Sequence, residues 1–436
     1  MNPLAEELNA QLKGTIAERM FSRLGRRFYF PRGIIAQSAE AKKSAHMANA
    51  TIGMAYSKGK PLILSAIAES MPTLTAEQAV AYAPTAGVEQ VRKDWQNLIL
   101  QKNPSLKQDR ISLPVVVPGL TAGICFIADI FLEEGASIIS SEPCWDNYSL
   151  IFEERRAGII HGVEFFNGAQ GLNLDNIGRA IREEAAKGQV RIILNFPNNP
   201  SGYSPTKDEA FALADLFRQA AEGGADVLVI CDDAYRGLSY EDSIYGESFF
   251  SLVADLHEKV LAVKIDGPIK EDYVWGLRTG FVSFGSKGLS KEHYGALITK
   301  LMGAIRSSVS CSNTPAQHFI IKALDDPRTA GEKAGFQDLM QRRYNKVKEF
   351  IKQNPPHPAL KPFPFNSGYF MSFCCEGISA EALRRELLQK HGIGVVALGE
   401  KCLRVAFSSL EEEQIPSVYR AIYDCAAEMA GKKIQA

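Results

Sequence analysis

A chain of 436 residues is too long for one ordinary core, and 46% hydrophobic with 23% charged residues is the make-up of a soluble globular protein. A net charge of −1 supplies no global positive field for nucleic acid or an anionic membrane, and no run reaches the roughly 18 apolar residues of a membrane span. The eight cysteines are scattered, with no CxxC pair and no zinc-type spacing, so reduced thiols and no metal are expected.

The N-terminal "MNPLAEELNAQLKG" is acidic and amphipathic. It lacks the basic and then apolar pattern of a secretory leader, which leads to the expectation of a cytoplasmic protein. Short apolar runs follow: 111–119, 135–143, 190–197, 226–234, 259–267 and 278–285. Most are β-branched and end in Gly, Pro, Asn or Asp, as buried strands do. Amphipathic helical patterns lie between several of them, at 121–134, 173–188 and 206–224. The alternation predicts an α/β fold, with a mostly parallel sheet covered by helices on both faces and ligands at the carboxyl ends of its strands. The C-terminal third differs. A long charged helix, the strand-like "NSGYFMSFCC", a helix at 379–392, two short strands and a last helix predict a smaller α+β unit. The expected domains are 62–325, large, and a small one built from both chain ends, 1–61 and 326–436.

Unusual polar residues fall at the strand ends. "VVVPGLTAG" runs from a strand through Pro-Gly into a helix whose first turn holds Leu120 and Thr121. Free N–H groups and a hydroxyl at a helix N-terminus suit an anion such as phosphate. "SEPCWDNY" puts the flat face of Trp145 after the next strand. "LNFPNNPSG" forces a turn at a strand end and projects the Asn199 amide. "VLVICDDAYRGL" ends a buried strand in Asp232 and Asp233, with Tyr235 following. Successive strand residues point to opposite faces, so at most one of the two acids faces the pocket at full depth. In "VKIDGPIKEDYVWGLRTGF", Lys264 lies inside a strand, sheet-embedded or snorkelling outward, while Lys270 lies past the Asp-Gly-Pro turn at the strand's carboxyl end. Each feature alone has a plain structural explanation as a loop, a cap or core packing. Together, a phosphate cradle, an aromatic face, an amide, an acid, a phenol, a lysine and an arginine fit pyridoxal phosphate.

In order, "PGLTAG", "EPCWDNY", "NNPSG", "CDDAYRGL", "GLRTGF" and "CLRVAF" resemble the motifs of fold-type-I pyridoxal-phosphate enzymes of the aspartate aminotransferase family, over about residues 49 to 410. The resemblance implies an aminotransferase with ping-pong kinetics. It puts Asp232 at the pyridine nitrogen and Tyr235 and Asn199 at the ring oxygen. Trp145 would stack on the ring, and Thr121, the Leu120 N–H and Arg278 would hold the phosphate. It makes Lys270, eight residues before Arg278, the lysine that binds the cofactor covalently. Gly267 stands where relatives often carry a phosphate-binding serine, so its N–H is the expected substitute. Arg404 would grip the substrate α-carboxylate with its planar fork. Tyr82 matches a tyrosine that reaches the phosphate of a neighbouring subunit, which implies a homodimer with shared active sites. Arg306 matches an arginine that crosses the dimer to a dicarboxylate's distal carboxylate, and so favours aspartate or glutamate. The loop that follows it is two residues longer than the family pattern. The segment 49–64, with Ile52, Gly53, Met54 and Tyr56, resembles the mobile cover of the substrate site. The alternatives are an aromatic or neutral amino-acid aminotransferase, and a C–S β-lyase or decarboxylase on the same scaffold.

Overall fold

The computed structural model describes residues 1–11, 34–51, 53–70, 73–168, 171–355 and 358–434. Its frame is a seven-stranded sheet made of β1 (Val115–Val117), β2 (Ser137–Glu142), β3 (Ile159–Glu164), β4 (Gln189–Asn195), β5 (Asp226–Asp232), β6 (Val260–Asp266) and β7 (Gly280–Gly285). The strand order is β1-β7-β6-β5-β4-β2-β3. All neighbours run parallel except β7, which is antiparallel to both β1 and β6. The expected α/β fold is therefore observed, with one reversed strand. β3 has no counterpart among the apolar runs of the sequence. It is an edge strand whose "IIHGVE" is mostly half-buried or exposed, so it lacks the continuous apolar signal of the central strands.

Helices cover both faces. On one lie α1 (Glu89–Lys102), α3 (Leu174–Ala185) and α4 (Lys207–Glu222), packed on Val227, Val229 and Cys231 of β5 and Val260 and Ala262 of β6. On the other lie α2 (Leu120–Phe131) and α5 (Lys291–Arg306), packed on Leu228 and Ile230 of β5 and Val263 and Ile265 of β6. The period of two along each strand thus decides which face every polar residue at a strand end inherits. The starts of α3 and α4 follow local chemistry. Asn173 caps α3, and Thr206 with Glu209 forms a capping box on α4.

After α6 (Thr314–Asp325), the 26-residue α7 (Arg328–Gln353) leads to an antiparallel sheet. Its strands are β8 (Leu360–Pro362), β9 (Phe370–Cys375), β10 (Val396–Leu398) and β11 (Cys402–Ala406), in the order β8-β9-β11-β10. β8 lies in a proline-rich stretch, 354–368, and sits at the sheet's edge, where a missing N–H is tolerated. α8 (Ala380–His391) and α9 (Ile415–Ile434) pack on each other and share a core with this sheet and with Ala48, Ala50 and Ala55. Ala48–Asn49 pairs with Ile393–Gly394, so a segment that precedes the large sheet in the chain joins this unit. Among the described residues no helix is long and apolar enough to cross a membrane, and no His/Cys/Asp/Glu group could hold a metal ion.

Candidate active site

At the carboxyl ends of β4, β5 and β6 lies a cavity of about 310 Å³. Leu120, Thr121, Trp145, Asn199, Asp232, Tyr235, Lys270 and Arg278, gathered from five stretches of chain, line it. Asp232 continues the Leu228–Ile230 face of β5 and so enters the cavity, 4% exposed. Its Oδ2 accepts a 2.6 Å hydrogen bond from the Tyr148 hydroxyl, whereas Oδ1 is buried without a partner. Burial pushes the carboxyl up to about 6, against the Tyr148 hydrogen bond, which acts the other way. Asp233 faces the opposite side. It is ion-paired with Lys264 and accepts from Ser248 Oγ at 2.6 Å. Lys264 also lies 3.3 Å from Asp266, which accepts from Trp95 Nε1 at 3.0 Å. Burial acts to lower the Lys264 pKa, but the carboxylates of Asp233 and Asp266 outweigh it and hold the value above the usual one. Lys264 is thus sheet-embedded in a buried charge cluster, on the far side of the sheet from the cavity.

Lys270 stands in a single helical turn, Pro268–Glu271, directly after β6. Its Nζ donates to the Gly53 carbonyl at 2.8 Å and lies 5.2 Å from the centre of the Tyr235 ring. Burial, then the positive charges of Arg404 and Arg278, lower this amine to about 7, with Asp232 opposing. Tyr235 is held edge-on between Tyr369 and Phe370, with centroids 5.6 and 5.4 Å away, and burial raises its hydroxyl pKa. Trp145 meets Tyr148 edge-on at 5.5 Å.

At the other end of the cavity α2 presents the unpaired N–H groups of its first turn together with Thr121. Gly119 precedes it at φ 89°, and a Cβ there would lie 2.5 Å from Arg278 Nη2, so this glycine makes room for the guanidinium. Arg278 itself has left-handed backbone, φ 50° and ψ 49°. Gly267 is not among the cavity's lining residues. A Cβ on it would lie 2.8 Å from the Thr279 carbonyl oxygen, so the close approach of β7 leaves no room for a serine there.

Arg404 is 2% exposed and sits beside the cavity rather than on its wall. Nη1 donates to Asn199 Oδ1 at 2.9 Å, Nη2 to the Thr51 carbonyl at 3.1 Å, and the guanidinium lies 4.2 Å from the centre of the Phe370 ring. Nε has no hydrogen-bond partner, and burial lowers the pKa of this cation while the nearby Tyr235 and Asp146 act to raise it. Two sequence-predicted residues lie apart. Tyr82 is 90% exposed, and Arg306 is exposed on the last turn of α5, donating to Ser310 Oγ at 2.5 Å. Ile52 lies outside the described residues, whereas Gly53 touches the lysine. Tyr148 escaped the sequence reading. Its one signal is its place three residues after Trp145, a spacing that sets two side chains on one side of a helical turn.

The cavity fits pyridoxal phosphate on its own chemistry. An unpartnered buried carboxylate oxygen suits a pyridine N–H, a helix N-terminus with Thr121 and Arg278 suits a phosphate, and a lysine near neutrality suits covalent capture of an aldehyde. The model of the aminotransferase class I and II family matches residues 53–422. A probable aspartate/prephenate aminotransferase of Aquifex aeolicus is 24% identical over 79% of this chain and 83% of its own length. A probable N-acetyl-LL-diaminopimelate aminotransferase of Bacillus subtilis is 22% identical over 76% and 78%. Among solved structures, an aminotransferase from Anaerococcus prevotii superposes with a TM-score of 0.83 at 22% identity, covering 94% of this chain and 99% of that one. The kynurenine aminotransferase of Pyrococcus horikoshii, solved with PMP, gives 0.77 at 18% identity, covering 95% and 98%. The matched family is one of pyridoxal-phosphate enzymes.

Proposed function

The chain belongs to the class I and II aminotransferases, and from that membership we propose that it transfers an amino group between an L-amino acid and a 2-oxo acid in two half-reactions of ping-pong type. The observation that carries this reading is geometric: Lys270, the partnerless Oδ1 of Asp232, and Thr121 with Arg278 at a helix N-terminus line one cavity. Pyridoxal phosphate supplies the electron sink that stabilises the carbanion left when a substrate loses its α-proton.

The protein's own groups make that sink usable. Asp232 keeps a proton on the ring nitrogen, and Tyr148 holds the carboxylate in place. Tyr235 and Asn199 bind the ring oxygen, and Trp145 covers a ring face. Thr121, the Leu120 N–H and Arg278 take the phosphate, to which the α2 dipole adds. Because Asn199 Oδ1 already accepts from Arg404, its amide nitrogen is left for the cavity. Lys270, whose amine is lowered to about 7, would act as the neutral base that takes the substrate's α-proton and holds it for return. Arg404 would bind the α-carboxylate bidentately, its planar fork exchanging the Asn199 amide and Thr51 carbonyl acceptors for the substrate anion. The segment around Gly53 closes over the pair and excludes water.

The favoured substrates are aspartate or glutamate with 2-oxoglutarate, in a cytoplasmic homodimer whose domains are 62–325 and the two chain ends. In that dimer, Tyr82 and Arg306, both turned outward in one chain, would serve the phosphate and the distal carboxylate in the other copy. A panel of amino donors with 2-oxoglutarate, followed by the colour change of the bound cofactor, tests this. Arg306→Leu is expected to raise KM for aspartate at least about tenfold more than for alanine. An equal effect on both removes the dicarboxylate reading and leaves an aromatic or neutral amino-acid aminotransferase. Pyruvate with ammonia, or CO₂, as products without amino transfer points instead to a lyase or decarboxylase.

A further inference from the structure

Lys270 belongs to the large sheet, yet residues packed with the antiparallel sheet hold it at both ends. Its turn is closed by a single bond, from the Asp272 N–H to the Pro268 carbonyl. Its own carbonyl accepts no backbone N–H among the described residues. That carbonyl accepts a 2.8 Å hydrogen bond from the Tyr369 hydroxyl. Tyr369 immediately precedes β9, is 0% exposed, and sets its ring edge-on to Tyr235 at 5.6 Å. It is absent from the cavity wall, so it acts through the residues it touches. At the other end, Nζ reaches the Gly53 carbonyl.

We propose that Tyr369 is a positioning residue: its hydroxyl fixes the backbone of Lys270, and with it the reach of Nζ, across the boundary between the two sheets. The reach matters because the amine is surrounded by charge from several elements. Asp232 comes from β5, Arg278 from the segment before β7 and Arg404 from β11, and the Tyr235 ring lies beneath it. The flanking acids do not set its charge independently, because Glu271 pairs with Lys102 and Lys333, and Asp272 with Lys333. A turn freed at its carbonyl lets Nζ move within this field, which alters both its protonation and its aim at a substrate carbon. Small rotations of the antiparallel unit would reach the lysine by the same bond.

The proposal rests on Lys270 being the cofactor-binding lysine, and the test separates the two ideas. Tyr369→Phe removes only the hydroxyl. Tyr240→Phe is a matched control, since its hydroxyl donates to the Gly368 carbonyl at 2.7 Å in the same core without touching Lys270. Both variants of the full-length, cofactor-loaded enzyme lose one buried hydroxyl–carbonyl bond and are expected to melt at similarly lowered temperatures. Only Tyr369→Phe is expected to move the pH midpoint of the bound cofactor's visible absorbance, by about half a unit or more. It should also lower kcat about tenfold with KM for the amino donor nearly unchanged, the mark of lost alignment. Midpoints and kcat values that match between the two variants overturn the proposal. An absorbance band that survives in Lys270→Ala overturns the choice of lysine instead.

Discussion

Replacing each of the neighbouring acids at the end of β5 by asparagine separates their roles, because the two side chains face opposite sides of the sheet. Asp232 has its carboxyl raised by burial from 3.8 to about 6. The folded, cofactor-free chain therefore binds this proton more tightly than the unfolded chain does. The sign follows. Below pH 3.8 both states are protonated and the group contributes nothing, whereas above about pH 6 both are ionised and the folded state bears the whole cost of the buried charge. Roughly two units correspond to about 3 kcal/mol at pH 7. Asp232→Asn removes that cost while its amide oxygen still accepts from Tyr148, so the cofactor-free variant is expected to melt higher than the parent at pH 7 and equally at pH 3. Its kcat/KM should fall by at least about a hundredfold, because the ring nitrogen loses a preorganised anion. Asp233→Asn does the reverse. It leaves Lys264 with a weakened partner set in a buried cluster, so stability falls by up to about 3–5 kcal/mol while the folded fraction keeps most of its activity. Thermal melts at the two pH values with steady-state rates at subsaturating donor decide the matter. Equal activity losses, or a lower melting temperature for cofactor-free Asp232→Asn at pH 7, would refute the assignment of Asp232.

Lys270→Ala is expected to abolish the visible absorbance of the lysine-bound cofactor at nearly unchanged melting temperature, whereas Lys264→Ala should retain the band and lose about 3–5 kcal/mol of stability. A band retained in Lys270→Ala and lost in Lys264→Ala would reverse the assignment. The pH profile has a defined sense as well. Lys270 takes a proton only when neutral, and its amine is lowered to about 7, so the single-turnover rate with an α-deuterated donor should rise through about pH 7 and then level. A rate that climbs unbroken to pH 10 would show that the positive neighbours do not act on this amine.

Features carried by local pattern were legible in the sequence. Alternating apolar strands and amphipathic helices predict a covered, mostly parallel sheet, because the period of side-chain burial is a property of the segment itself. The resemblance of six motifs in order implies the same cofactor, and the structure brings Lys270, Asp232 and Arg278, which that resemblance singles out, to the wall of one cavity. What depends on approach between distant segments was not legible. The reversal of β7 is set by pairing, and β3 stays hidden because an edge strand carries no continuous apolar run. The tertiary structure decided that Asp233 and Lys264 bury one another's charge, that Tyr148 holds Asp232 from 84 residues away, and that Tyr369 holds Lys270 from 99 residues away. It also accounts for the missing serine, since the Thr279 carbonyl of the reversed strand's approach leaves Gly267 no space for a side chain. Periodicity is written residue by residue along the chain, whereas a hydrogen bond across two sheets exists only once both have folded against each other.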